Sequence, residues 1–413
     1  MWFYMDWILR AQQLADAAAH NRPRGNLSDL YPRWLGAREL LRHRRNPYSV
    51  EITREIQQGY YGRPLDPARP DDPRDQQAFA YPAYVVFLMA PTIDLPFHGV
   101  QLAFRWLLVV LAVVTVLLWL YVLRWKPSCI TTAIFIVLVL GWLPMVQGMK
   151  LQQLSLLVAG LLAGCAACLV SGWFLLGGGL LALATIKPQL AWPLVFWLLF
   201  WAGSDWRSRR RLVFGFGIFM LLLLGGAQLI LPGWLPMFVA GLGPYHQYTQ
   251  SQSVLTSLFG LVFGRLLVAA CILGCVLCLG RLRRKSASSA DFGNAVGLVL
   301  ALTIVIVPMS ALYNQILLAP AILGLVRSDI SGETILPAVR RARVAGYFVL
   351  AWPWIATIGL SLFYPWLTPE LRQRLWPMPF YSSYMVPVFV FGLALLNTWR
   401  SQADCLPESA AAE

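Results

Sequence analysis

The sequence predicts an all-α, polytopic membrane protein, and three observations carry that expectation. Hydrophobic residues make up 58% of the 413 residues and charged residues 13%, with a mean hydropathy of +0.61, a balance too apolar for two or three soluble domains. Apolar runs of spanning character recur from residue 98 to residue 399. The basic residues behind the net charge of +14 fall, after position 97, mostly in short clusters between those runs. That placement is a topology signal and not a nucleic-acid surface.

The chain divides into three parts. Residues 1–97 form an N-terminal region, polar and Arg/Asp/Pro-rich over 1–78, in which "RWLGARELLRH" has helical apolar spacing and "GRPLDPARPDDPRDQQ" is a loop. Its last stretch, "FAYPAYVVFLMAPTIDLP", is apolar but short and broken by proline, so it is expected to be re-entrant or interfacial. Residues 98–399 are the transmembrane domain, with eleven expected spans at about 98–123, 129–146, 152–171, 173–186, 189–202, 212–231, 255–280, 293–309, 311–327, 343–363 and 384–399. Residues 400–413 are a tail. The clusters "RWK", "RSRRR", "RLRRK" and "RRAR", with Arg327 and Arg400, fall on one side of this arrangement, against Lys150, Lys187, Arg372 and Arg374 on the other. The basic side is cytoplasmic by the positive-inside rule, which puts the tail inside and residues 1–97 on the extracytoplasmic face. An additional helix ahead of Met1 is expected, because something must translocate that region. The seven cysteines lie mostly inside apolar segments and have no paired ligand spacing, so neither a zinc site nor a disulfide framework is expected.

Ionisable and amide groups on the outer side are the candidates for chemistry, because polar groups at membrane depth are costly. Lys187 stands between "FLLGGGLLALAT" and "LAWPLVFWLLFW", where an ammonium suits a lipid phosphate or, alternatively, merely snorkels at a helix end. Lys150 is a similar but less isolated cation. Asp29, in "SDLYP" ahead of an apolar-periodic helix, is either a helix cap or a general base whose pKa is raised by partial desolvation. Arg33, one turn on, orients that carboxylate or makes an ordinary ion pair along the helix. Tyr31, Gln153, Gln189, His246, Asn314 and Gln315 are candidate sugar-binding side chains. Walker-type, GxSxG and HExxH signatures are absent, which disfavours nucleotide-dependent chemistry, and an active site on the outer face has no nucleotide sugars available, so an activated group would have to arrive on a lipid.

Taken in order, "DLYPRWLGARELLRHRRNPYS", "FAYP", "QLSLLVAGLLAG", "GGGLLALATIKPQLAWPLVFWLL" and "YNQILLAP" resemble glycosyltransferase family 87 over residues 26 to 327. These are polyprenol-phosphate-mannose-dependent, α-mannosyltransferase-like enzymes of the GT-C fold. The resemblance implies a GT-C-like bundle whose first helix is missing here, a catalytic aspartate at Asp29 and the lysine of a Lys-Pro motif at Lys187 and Pro188. The family's Gly-Gln becomes Gln152 and Gln153, and its late Trp-Asp-His becomes Tyr313, Asn314 and Gln315. The implied reaction moves a sugar, mannose, from a polyprenyl-phosphate donor to a hydroxyl of a glycan or glycolipid acceptor, with inversion. Asp29 is its base, and Lys187, with Arg33 or Lys150, offsets charge on the departing phosphate. No cofactor or metal is called for. The expected location is a bacterial-type inner membrane with an extracytoplasmic active site. A secondary transporter or flippase for a lipid-linked sugar is the alternative, since short Gly/Pro-interrupted helices suit it too, although no internal repeat is visible.

Overall fold

The computed structural model describes residues 1–413 except 22, 24–27, 67, 74, 250–251, 309–310, 331–336 and 404–413, and does not describe the side chains of 244–249 and 401–403. Among the described residues the regular structure is entirely helical. The N-terminal region holds α1 (Arg10–Ala19) behind a π-helical turn (Tyr4–Leu9), then α2 (Tyr31–His43), α3 (Val50–Tyr61) and the short α4 (Val85–Met89). Ser49 accepts a hydrogen bond from the Ile52 N–H, which caps α3, and Gly62 ends that helix at a φ of 84°. The apolar sides of α2 and α3, with Leu30, Trp34, Ile52 and Ile56, are continuous with the core of the bundle.

The bundle follows as α5 (Phe97–Val122), α6 (Cys129–Gly141), α7 (Leu143–Lys150), α8 (Leu154–Val170), α9 (Phe174–Ala184), α10 (Pro188–Gly203) and α11 (Trp206–Ile230). It continues as α12 (Trp234–Thr249), α13 (Val254–Phe259), α14 (Leu261–Leu282), α15 (Ala290–Ile306), a 3-10 stretch at Leu312–Leu318, α16 (Ala319–Ile330) and α17 (Pro337–Phe363). Two short helices, α18 (Pro369–Leu375) and α19 (Met378–Ser382), precede α20 (Val386–Ala403). Each of the eleven expected segments carries a helix. Five helical runs among the described residues are long and apolar enough to cross a bilayer alone, and six if α6 and α7, bent by 56° at Trp142–Leu143, count as one. The bend falls where Pro144 enters α7, a position at which proline costs no helix hydrogen bond. The remaining helices, such as the 11-residue α9, span too little to cross unaided. The chain is an integral membrane protein.

Glycine sets the closest helix crossing. A Cβ on Gly178 of α9 would lie 2.3 Å from the Leu212 carbonyl oxygen, and one on Gly215 of α11 would lie 2.2 Å from the Leu175 carbonyl oxygen. The two backbones therefore touch, the small-residue packing that replaces a hydrophobic driving force in lipid.

The two ends of the bundle differ chemically. At one end the buried Arg209 guanidinium donates to the carbonyls of Trp201, Arg283 and Lys285 and stacks 3.8 Å from the Trp201 ring. Arg343 pairs with Asp329 and Asn397 at the same end, and Arg281 lies over Trp399. The other end carries the N-terminal region. There the Asp29 N–H donates to the Leu151 carbonyl at 2.9 Å, Trp34 Nε1 to the Thr92 carbonyl at 3.0 Å, and the Tyr84 hydroxyl to the Thr185 carbonyl at 2.9 Å. Helix α10 runs between the ends, a rise of about 24 Å at ~1.5 Å per residue.

Candidate active site

Where the N-terminal region meets the bundle, a cavity of about 1090 Å³ opens. Its wall on the N-terminal side comes from α3 and the loop after it, including Thr53, Arg54, Asp75 and Gln76, and its floor from Asp29, Gln153, Lys187 and Asn314. The volume is of the size that takes a sugar and part of its carrier.

Each floor residue is held by local backbone logic. Asp29 precedes α2, whose first turn contains Pro32 and has Leu30 in the capping position with no side-chain cap. The capping alternative for Asp29 is therefore not realised, and its Oδ2 accepts from Gln153 Nε2 instead. Gln153 lies three residues beyond Lys150, the last residue of α7, and follows Gln152, which stands in the left-handed region at a φ of 48°. Glycine adopts that conformation without strain, and here Gln152 is held in it by its own side chain, whose Nε2 donates to the carbonyls of Met149 and Lys150 and whose Oε1 accepts from Gln101. Lys187 links α9 to α10. The proline that follows keeps its backbone out of the helical region, at φ −118° and ψ 81°.

The side chains form one continuous chain of hydrogen bonds. Lys187 Nζ donates to Gln153 Oε1 at 2.9 Å and to Ser155 Oγ at 2.6 Å, and Ser155 Oγ donates to Asn314 Oδ1 at 2.6 Å. Gln153 thus joins carboxylate and ammonium through the two ends of one amide. Lys187 is only 5% exposed, so its ammonium is turned into the protein and the snorkelling alternative is not what the fold adopts. The Tyr313 and Tyr81 rings face it at 4.9 and 6.0 Å. Arg33 donates to the backbone carbonyl of Asp29 and lies 4.3 Å over the Tyr81 ring.

Desolvation pushes the Asp29 carboxyl up to about 6; the Arg33 charge opposes this most, Lys187 and the Gln153 hydrogen bond oppose it less, and Asp75 adds to it. Burial pulls the Lys187 ammonium down to about 7, the Arg33 charge adds to the fall, and Asp29 resists it. The site holds a carboxyl that ionises near neutrality beside a cation that an incoming anion would stabilise.

Some expected residues are elsewhere. Lys150 does not reach the cavity: its ammonium binds both carboxylate oxygens of Asp6 at 2.7 and 2.6 Å and lies 4.7 Å from the Trp2 ring, so its charge is already spent. Tyr31 packs against Trp34 and Phe97 rather than lining the cavity. Gln315 turns away, donating to the Ser383 carbonyl at 3.0 Å. Gln189 and Asn314 line the cavity, while the His246 side chain lies outside the described residues. Asp75 was not singled out by the sequence, because it sits in a proline-rich loop that has the composition of a solvated one.

The family model of glycosyltransferase family 87 matches residues 79–319. No curated protein and no solved structure matches.

Proposed function

The chain belongs to glycosyltransferase family 87, and on that premise we propose that it transfers a sugar, mannose, from a polyprenyl-phosphate donor to an acceptor hydroxyl on the extracytoplasmic face, with inversion. The observation that carries this reading is the chain Asp29–Gln153–Lys187 on the floor of a cavity at the junction of bundle and N-terminal region. Gln153, Lys187 and Asn314 lie within the family match and Asp29 lies before it, so the role of Asp29 rests on this geometry.

In the proposed reaction the acceptor oxygen attacks the anomeric carbon as Asp29 takes its proton. The bond from that carbon to the phosphate oxygen breaks, and its electron pair leaves on the phosphate, which gains a negative charge. Lys187 faces that charge, and Arg33 adds a second cation held by the Tyr81 ring. Gln153 keeps base and cation in register, and Tyr81 and Tyr313 offer faces to sugar or carrier. The extracytoplasmic assignment is supported by the basic residues at the opposite end of the bundle, around Arg209, Arg283 and Arg343. The site would then draw its donor from the bilayer of a bacterial-type inner membrane.

The test is direct. Membranes containing the protein, incubated with radiolabelled polyprenyl-phosphate mannose and a pool of membrane glycolipids, should move label into a chloroform-soluble or glycan product. Absence of label transfer, with donor intact, would reject the reading.

A further inference from the structure

The cavity contains a second carboxylate that the reaction above leaves unused. Asp75 lines the N-terminal wall of the cavity whose floor carries Asp29 and Lys187. Its Oδ1 accepts from the Gln77 N–H at 3.1 Å and its Oδ2 from Gln77 Nε2 at 2.8 Å, while its backbone carbonyl is held by the Tyr61 hydroxyl at 2.7 Å. The segment is anchored to α3 on both sides, because Gln57 donates to the Gln76 carbonyl and accepts from the Leu65 N–H. Asp75 is therefore a fixed group and not a solvated loop acid.

An ionised carboxylate has about four acceptor positions, and Gln77 occupies two of them at Asp75. Its hydrogen-bond partners among the described residues are those two donors, both neutral, in contrast to Asp66 and Asp72 of the same loop, which pair with Arg69 and Arg63. A fixed, partly buried carboxylate that lines a cavity and has acceptor positions left over can take hydrogen bonds from the donors of a ligand. Phosphate has none to give and would be repelled. Adjacent hydroxyls of a sugar ring match it, each bringing one O–H.

We propose that Asp75 is the acceptor-binding carboxylate of this site, accepting hydrogen bonds from two neighbouring hydroxyls of a sugar acceptor while another hydroxyl of that sugar faces Asp29. The proposal rests on the transfer reaction above for the identity of the reacting hydroxyl, but sugar binding itself is independent of the donor. It sets the lipid phosphate at Lys187 and Arg33 on the floor and the acceptor against Asp75 on the N-terminal wall, with the Arg33 charge close enough to act on Asp75 as well. Thr53 and Gln76 are further polar groups on the same wall.

Saturation-transfer NMR on the protein in nanodiscs, titrated in turn with methyl α-D-mannopyranoside, methyl α-D-glucopyranoside and methyl α-D-galactopyranoside, tests it. At least one glycoside should bind, and Asp75→Asn should weaken that binding about tenfold by replacing a charged acceptor with an amide. Asp75→Glu should retain part of the affinity, and Asp94→Asn, outside the cavity and paired with Arg42, should retain all of it. Asp29→Asn should bind the glycoside but not transfer to it. Deoxy analogues are titrated against both proteins: removing either of two adjacent hydroxyls should cost affinity in the wild type and cause no further loss in Asp75→Asn. Binding of no glycoside, equal affinity for all deoxy analogues, or equal affinity in Asp75→Asn and wild type would each overturn the proposal. Asp75-dependent binding without any label transfer would reject the transferase reading and leave the sugar subsite standing.

Discussion

At the scale of single residues the site is a pair, Asp29 and Lys187, in which each member's charge state is set first by enclosure, next by the Arg33 charge and then by the other. Asp29→Asn keeps the shape and one acceptor oxygen but cannot take a proton. Turnover should fall roughly 10²–10⁴-fold with the fold intact, read from initial rates and a thermal melt, and near-normal turnover would remove the assignment. Lys187→Met keeps the apolar stem and loses the charge, so donor binding should weaken by about 1.5–3 kcal/mol, with Lys187→Arg in between. Equal donor affinity in the three proteins would take Lys187 out of the site. The pH dependence follows from the same pair. In the proposed roles Asp29 acts as a base only when ionised, so activity should rise with pH through about 6, and Lys187 holds phosphate only when charged, so activity should fall through about 7 in the free enzyme. The kcat/KM profile for donor should be a narrow bell whose limbs belong to the coupled pair. Bound phosphate stabilises the ammonium, so the falling limb of kcat should lie at higher pH than that of kcat/KM. A pH-independent kcat/KM between 5 and 8 would contradict both roles.

Elements carry these side chains to their places, and the tightest constraint lies between α9 and α11. Lys187 sits three residues beyond the last residue of α9, so a helix forced away from α11 would displace it. Gly215→Ala puts a methyl against the Leu175 carbonyl, where backbone and not a yielding side chain is in the way. Destabilisation of about 1–3 kcal/mol is expected, with a lowered melting midpoint in detergent and reduced donor affinity. Gly217→Ala, one residue pair along the same helix with no atom within 4 Å of its added Cβ, should leave both unchanged and serves as the control. Similar melts for the two variants would mean that the contact is not a constraint. The Gly-rich run "LLGGGLL" announces close packing in the sequence, but which of its glycines meets which partner does not follow from one chain's local pattern.

On the scale of the whole molecule the decisive feature is the separation of a basic end from a cavity end. Replacing the exposed Cys129 by serine and then introducing cysteine at Asp71 or Arg210, both exposed, allows a labelling test in intact cells. An impermeant maleimide should modify residue 71 and leave residue 210 untouched until the cells are opened. Labelling of both would contradict the placement of these residues on opposite sides, and labelling of 210 alone would reverse the orientation and with it the proposed supply of a lipid-linked donor.

Sequence by itself determined the membrane class, the helical content and the opposition of basic loops to a polar end, because hydropathy and loop charge are sums over composition and do not depend on which residue touches which. It also determined the family, through the residues around Gln153, Lys187 and Asn314. The constellation was decided only in three dimensions. Lys150 and Lys187 look alike as isolated cations at helix ends, yet one is spent on Asp6 and the other faces the cavity, because the N-terminal turn packs over the first and not the second. Asp29 had an equally good local reading as a cap, and it is the arrival of Gln153 from 124 positions away that makes it part of a site. Asp75 had no signal at all. A carboxylate in a polar loop becomes a binding group only when the loop is fastened over a cavity, and that fastening, through Gln57, Tyr61 and Gln77, is a property of the tertiary fold.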